Sequence, residues 1–526
     1  MSFSAIRLLH EGLTASARQF AGKHTLVVEG VPHTYAELLD SALRLAAALR
    51  ARGVSRGDRV AIYMDNTWPC VVSIFGVLLA GGVFLVINPQ TKSDKLVFIL
   101  DDSDAVLLLT DSHLSPAFGA VLGNARKLKG VICSGKWPLP AAGVPPAPMF
   151  IEPFDEVLRN AAPLSKSTPV IPTDLAALIY TSGSTGNPKG VMHTHQSMVF
   201  AAESIAEYLR LSETDRILCV LPLAFDYGLY QLLMSIRLGA TLVLERSFTY
   251  PAQIFNRMRE QQVTVFPGVP TVYAMLLSMH ARERLEFPSV TRVTNTAAAL
   301  PAAFQQQLHE VFPNALIYRM YGLTECKRVC YLEPELADTK IDSVGKAIPG
   351  TEIFLLSMDG EPVAPGESGI LHVRGPHVML GYWKQPELSA RMLKAGSLPG
   401  ERVLCTQDWF RMDEEGFLYF VGRSDDIIKT RGEKVSPIEV ENVLHGMPGI
   451  REAAVVGIAD ALLGQVIRAY VALESDTSLS DKEVIKYCLA RLENFMVPKE
   501  VVFLPELPKT NTGKISKKTL VEKIEP

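Results

Sequence analysis

The chain has 526 residues, 48% of them hydrophobic and 21% charged, which is an ordinary globular composition on a chain too long for one compact core and excludes disorder. A net charge of -4, with no long run of lysine and arginine, excludes the electrostatic footprint of a nucleic-acid-binding protein, so any bound polyanion is small. Seven scattered cysteines without a Cys-x-x-Cys pair read as reduced, buried thiols of a cytoplasmic protein.

The first eleven residues lack the basic-then-apolar pattern of a secretory signal. Residues 35–50 place apolar side chains at helical spacing, Gly53 stops that helix, and 58–63 reads as a strand. The apolar run 71–87 is at the lower limit for a membrane span, but Gly81-Gly82 marks a helix end followed by a strand, so it is predicted as core and no span is expected. Strand-like segments recur at 105–109, 130–133, 175–180, 216–221, 240–244 and 263–266 between helical patterns, which predicts an α/β fold with largely parallel sheets. Residues 134–169, rich in Pro, Ala and Ser, are predicted as a long surface connection. Beyond about 345, Gly/Pro punctuation with strands at 351–356, 369–373 and 417–421 predicts a β-rich subdomain. The last hundred residues read as a small unit: helix 436–447, strands 452–458 and 466–473, helix 480–492 and strand 500–503. The expected organisation is therefore a large domain of stacked α/β sheets plus the β-rich subdomain over 1–422, and a small mobile α+β domain over 423–526. The hinge is placed near Asp425, in Gly422-Arg-Ser-Asp-Asp426.

The segment Tyr180-Thr181-Ser182-Gly183-Ser184-Thr185-Gly186-Asn187-Pro188-Lys189-Gly190 follows the strand at 175–180. Its glycines let backbone amides approach an anion, and its hydroxyls and one ammonium supply donors without acidic repulsion, so it is predicted to hold a nucleotide's phosphates. The order Gly-x-x-Gly-x-x-Lys-Gly is not that of a Walker A loop, which lowers a kinase or P-loop ATPase. His193 and His195, and Cys326 and Cys330, lack the further ligands a metal site needs and are expected to serve packing and hydrogen bonding.

Downstream come Tyr321-Gly322-Leu-Thr324-Glu325, then Asp408, then Gly422-Arg423-Ser-Asp-Asp426, and finally Lys509-Thr-Asn-Thr-Gly-Lys514. Five motifs in this order and at these distances resemble the adenylate-forming superfamily of acyl-CoA synthetases, adenylation domains and luciferases, over essentially the whole chain. The resemblance implies a two-step ligase in which a carboxylate attacks the α-phosphate of MgATP to give acyl-AMP and pyrophosphate, and a thiol then displaces AMP to form a thioester. It implies that Thr181, Ser182, Gly183, Ser184, Thr185, Gly186 and Lys189 cover the phosphates, that Thr324 binds a phosphate oxygen and that Glu325 holds Mg2+. It further implies that Tyr321, with Gly322, lies against the adenine, that Asp408 and Arg423 reach the ribose, and that Lys514 bridges carboxylate and α-phosphate in the first step. A rotation about Asp425 would exchange Lys514 for a face carrying Lys429 and Gly432, which line the tunnel of the arriving pantetheine thiol.

For the acid, Phe225 is placed as the gate between the carboxyl site and the thiol tunnel, and Ala297, Ala298, Ala299 and Cys330 along the pocket. Asp226 could hold the ammonium of an amino or imino acid, as in amino-acid adenylation domains, or serve as a structural hydrogen-bond acceptor. Cys326, Lys327 and Arg328 also follow the magnesium glutamate, and a basic residue facing inward would suggest a second polar group on the acid. The expected partners are a small carboxylic or amino acid and CoA or the phosphopantetheine of a carrier protein. A stand-alone amino-acid adenylating enzyme and a luciferase-like oxygenase remain the alternatives.

Overall fold

A computed structural model describes residues 6–122, 124–136, 149–181, 188–296, 300, 302–423, 426, 428–430, 433–460, 464–475, 477–492, 494–510 and 514–523. Its described strands form three sheets.

The eight-stranded sheet runs in the order Gly381–Tyr382, Lys189–Thr194, Leu175–Thr181, Val83–Ile87, Arg59–Tyr63, Ala105–Asp111, Gly130–Ser134, Phe150–Pro153. Its pairings are parallel from Leu175–Thr181 to Phe150–Pro153. Val83–Ile87 and Ala105–Asp111 are buried at every position, as expected of unbroken apolar runs covered on both faces. The apolar stretch 71–87 divides as predicted. Helix Trp68–Leu79 starts where the Thr67 hydroxyl accepts from Cys70 N, and Gly81, at φ 80°, turns the chain into Val83–Ile87. Among the described residues no helix is long and apolar enough to cross a membrane.

The predicted connection 134–169 is corrected in part. It contains the outermost strand of this sheet, Phe150–Pro153, and helix Phe154–Asn160, whose Phe154 and Val157 are buried. Four strand residues and seven helical ones span too little of either period to stand out from a Pro/Ala-rich background.

The fourteen-stranded sheet has a parallel half, made by His24–Val28, Thr241–Leu244, Arg216–Cys219, Val265–Gly268, Arg292–Asn295 and Leu316–Tyr321. Cys330–Leu332 and Ser343–Ala347 continue it antiparallel into Leu418–Arg423, Arg402–Met412, Ser368–Arg374 and Glu352–Leu356, which is the β-rich part. The loops leaving the carboxyl ends of Arg292–Asn295 and Leu316–Tyr321 emerge side by side, at the edge where open α/β sheets hold their ligands.

The third sheet, of five strands, orders Glu433–Val435, Ile428–Thr430, Gly464–Leu473 and Ile450–Asp460, with Glu500–Phe503 parallel to Gly464–Leu473. Helices Pro437–His445 and Asp481–Leu489 pack on it, the first capped by Ser436 accepting from Glu439 N. Val440, Leu444, Val455, Ala469, Val471 and Val484 give this smaller C-terminal unit an apolar core of its own.

Candidate active site

Strand Leu175–Thr181 pairs antiparallel with Lys189–Thr194, with Thr181 opposite Lys189 and Tyr180 opposite Gly190, so the two strands flank the glycine-rich segment. Its base is clamped. Tyr180 Oη donates to Asp102 Oδ2 at 2.6 Å, Trp383 Nε1 donates to Asp102 O at 2.8 Å, and Trp383 N donates to Gly190 O at 2.7 Å. A Cβ on Gly190 would lie 3.1 Å from the Tyr180 ring and 3.3 Å from Trp383 Cβ, so the clamp is closely packed at this position. Ser182, Gly183, Ser184, Thr185 and Gly186 lie outside the described residues. Lys189 Nζ sits 5.9 Å from the centroid of the Tyr382 ring, and Tyr382 Oη donates to Glu325 Oε1 at 2.6 Å. One tyrosine therefore links Lys189 to the carboxylate predicted for magnesium. Burial and the neighbouring Glu325 charge push the Tyr382 pKa up, which keeps its proton in that bond. The sequence reading missed Tyr382. The available signal was Gly381-Tyr382-Trp383, where an aromatic pair follows a glycine at φ 146°.

Past Leu316–Tyr321 the chain folds back sharply on itself. A Cβ on Gly322 would stand 2.3 Å from Lys327 O and 2.9 Å from Arg328 Cα, so only glycine admits the turn. Lys327 closes it at φ 63°, a left-handed conformation held by its surroundings. Thr324 O accepts from His193 Nε2 at 2.8 Å and Glu325 O accepts from Met379 N at 2.7 Å. Burial brings the His193 pKa down to about 4, so the ring is neutral at pH 7 and its proton lies on Nε2, facing that carbonyl. This is a hydrogen-bonding role, as the spacing of His193 and His195 suggested; His195 Nδ1 accepts from Leu9 N.

Asp408 lies in the eleven-residue strand Arg402–Met412, in register with Arg423 on Leu418–Arg423, and Arg423 Nε is 3.2 Å from Asp408 Oδ1. Tyr321 Oη donates to Asp408 Oδ2, and the Tyr321 ring packs against Phe410 and Phe420 with centroids 4.8 and 5.9 Å away. Burial raises the Asp408 pKa, while Arg423 and the Tyr321 hydroxyl pull it back. Each of its oxygens keeps a further lone pair for another donor.

Phe225 precedes helix Asp226–Leu238, which Asp226 opens. The Asp226 carboxylate meets Lys327 Nζ at 3.4 Å; Lys327 is almost wholly enclosed, 4.7 Å from the Tyr230 ring centroid and 5.5 Å from that of Tyr227. Burial drives the Lys327 pKa down to about 7 against the pull of Asp226. Asp226 thus already has an ammonium from its own chain. Arg328 Nη1 donates to Thr296 Oγ1 at 2.5 Å. Cys326 and Cys330 are fully buried in the apolar cluster that packs against Tyr321, and their surroundings push both thiols up. Ala297, Ala298 and Ala299 lie outside the described residues.

Lys514 reaches the same cleft from the C-terminal unit. A bridge between Lys509 and Ile515, with Thr510 N donating to Lys514 O at 2.7 Å, forms the base of its loop. Lys514 is exposed to solvent. Its pKa is lowered by partial desolvation and by Arg423, and raised by Asp226 and Asp408. Lys429 is on strand Ile428–Thr430, and Asp425 and Gly432 lie outside the described residues.

Residues 13–383 match the family model of the AMP-binding enzymes, and residues 439–514 match that of the AMP-binding enzyme C-terminal domain. A long-chain-fatty-acid–CoA ligase of Bacillus subtilis (strain 168) is 32% identical over 98% of this chain and 94% of its own length. The crystal structure of an anthranilate CoA ligase in complex with anthranoyl-AMP superposes with a TM-score of 0.89 at 26% identity, covering 98% of this chain and 97% of that one. The o-succinylbenzoate coenzyme A synthetase of Bacillus subtilis, in complex with ATP and magnesium ion, gives 0.83 at 29% identity, covering 97% and 99%. The chain belongs to the adenylate-forming family of AMP-binding enzymes, and within it to the AMP-forming acid–thiol ligases of the acyl-CoA synthetase type.

Proposed function

We propose that Lys189, Tyr321, Thr324, Glu325, Asp408, Arg423 and Lys514 build one ATP site, in which a carboxylic acid without an α-amino group is adenylated before CoA receives it as a thioester. The observation that carries this reading is Lys514: it extends from the C-terminal unit into the fields of Arg423, Asp408 and Asp226, which belong to three different elements of the large domain, two strands and a helix. A carboxylate is a poor electrophile because its leaving group would be oxide, and the mixed anhydride with AMP supplies a better one. The protein's task is to neutralise the phosphates and the attacking oxygen with groups already in place.

The residues divide that task. Asp408, fixed by Arg423 and Tyr321, offers acceptors to the ribose hydroxyls, and Tyr321 offers its ring to the base. Lys189 and the glycine-rich segment take the terminal phosphates, and Lys514 spans the α-phosphate and the incoming carboxylate. Glu325, oriented by Tyr382, would hold Mg2+. Among the described residues it belongs to no group of three ligating side chains, a donor set suited to an ion that keeps its waters and leans on substrate phosphates. When bound, that ion supplies further neutralisation of phosphate charge.

The pairing of Asp226 with Lys327 speaks against an amino or imino acid, because the carboxylate that would receive a substrate ammonium already has one. CoA is favoured over a carrier protein by the whole-length match to CoA ligases. In the second step the C-terminal unit turns about Asp425, Lys514 leaves, and the segment with Lys429 and Gly432 meets the thiol past Phe225. The seven unpaired, buried cysteines support a reducing, cytoplasmic setting.

Lys514→Ala separates the two steps. Pyrophosphate exchange should fall by roughly 10² to 10³, the loss expected for one transition-state donor, while thioester formation from supplied acyl-AMP stays near wild type. A parallel fall of both half-reactions would refute the role given to Lys514.

A further inference from the structure

Arg328 heads the largest fully buried side chains of the described protein. Its Nη1 bonds the neutral hydroxyl of Thr296, its guanidinium lies 5.5 Å from the Tyr227 ring centroid, and its Nε has no partner among the described residues. No carboxylate among them lies within ion-pair distance. The nearby Asp226 carboxylate is already engaged by Lys327 at 3.4 Å, so it is not the counter-ion of Arg328. Taking a guanidinium out of water without a counter-ion is strongly unfavourable, and such charges persist where something pairs with them in the working state.

The position says where that partner comes from. Thr296 follows strand Arg292–Asn295 at its carboxyl end, and Tyr227 is in the first turn of the helix that Asp226 opens, so Arg328 lies among the elements to which the acid pocket is assigned. The nucleotide end has its own cations in Lys189, Arg423 and Lys514. We infer that the missing anion arrives on the substrate: the acid carries a second carboxylate, which pairs with the planar fork of Arg328 while the reacting carboxylate meets Lys514. This inference rests on the ligase reading above and names its substrate class, a dicarboxylic acid. Thr296 then serves as a positioning residue that orients the guanidinium.

The test is pyrophosphate exchange with chain-matched pairs of mono- and dicarboxylic acids, aliphatic of increasing length and aryl, using wild type, Arg328→Met and Arg328→Lys. Wild type should favour the diacid of at least one pair by roughly 10² to 10³ in kcat/KM, the size expected of a buried charge-assisted contact. Arg328→Met should bring that ratio to near one or invert it, and Arg328→Lys should keep part of it. Because the ratio is internal to each enzyme, a general loss of folded protein leaves it unchanged, and if Arg328→Met does not fold the wild-type ratios decide alone. Monoacids used as well as or better than every diacid would overturn the inference and leave the ligase reading standing. A preference for a diacid that survives Arg328→Met would overturn the assignment to Arg328. No exchange with any acid would overturn the ligase reading and this inference with it.

Discussion

Lys327 shows how one buried ammonium can be followed through the folding equilibrium. In the unfolded chain it holds its proton to an ordinary lysine value, whereas in the fold desolvation brings its pKa down to about 7. Below that value both states are protonated and the full penalty of burying the charge is present. As the pH rises above about 7 the folded state releases the proton first, so the penalty fades and stability rises. Wild type should therefore gain on Lys327→Met by on the order of 2 kcal/mol between about pH 7 and pH 9 in urea unfolding, with little change between about pH 5 and pH 6. Parallel curves across the range would contradict the lowered value. At this scale the sequence was informative about identities and weak about partners. Lys189, Glu325, Asp408, Arg423 and Lys514 could be named from their motifs, but the tie between Lys327 and Asp226, separated by 101 positions, exists only once strand Leu316–Tyr321 and helix Asp226–Leu238 are neighbours.

Two strands, Arg402–Met412 and Leu418–Arg423, turn Asp408 and Arg423 into a cross-strand pair, and this pairing governs what each residue can do. The Asp408 side chain is 7% exposed and that of Arg423 66%, so the ion pair adds little to stability, and on the proposed reading its effect falls on nucleotide binding. Asp408→Asn, Arg423→Met and the double variant should leave the urea midpoint nearly unchanged, yet show a coupling of about 0.5 to 3 kcal/mol in AMP affinity by calorimetry. Strictly additive losses would mean that the two residues act separately on the nucleotide. The strand bearing Asp408 was not legible in the sequence for a local reason. A register shift between Trp409 and Phe410, after Gln407 at φ 62°, breaks the two-residue alternation just where a strand would have been recognised. The helix and strand of 68–87 carried no such irregularity and were read to within a few residues.

Across the molecule the decisive relation is between the C-terminal unit and the large sheets. The order of the motifs led to the expectation that Lys514 and the 321–325 segment act on one nucleotide. Their meeting in a shared cleft could not be read locally, because it depends on how two separately cored units are set against each other. That setting has a kinetic signature. In the proposed adenylation step Lys514 carries a proton to bridge two anions, and its pKa is lowered from the usual lysine range by desolvation and by Arg423. The adenylation rate should accordingly decline as the pH rises through a value below that of a free lysine, while thioester formation from supplied acyl-AMP lacks this decline. Residual exchange by Lys514→Arg, whose guanidinium stays protonated, should lose the alkaline limb. A wild-type profile flat to about pH 10 would place Lys514 outside the chemical step.

The turn that Gly322 makes possible joins Thr324 and Glu325 to Lys327 and Arg328 in a single short stretch of backbone. Natural variants that retune acid preference by altering that stretch would disturb the energy-coupling end of the enzyme at the same time. On the proposed reading, diversification of substrate choice would be channelled toward the opposite wall at Thr296, which stands on a different element from the 321–328 stretch.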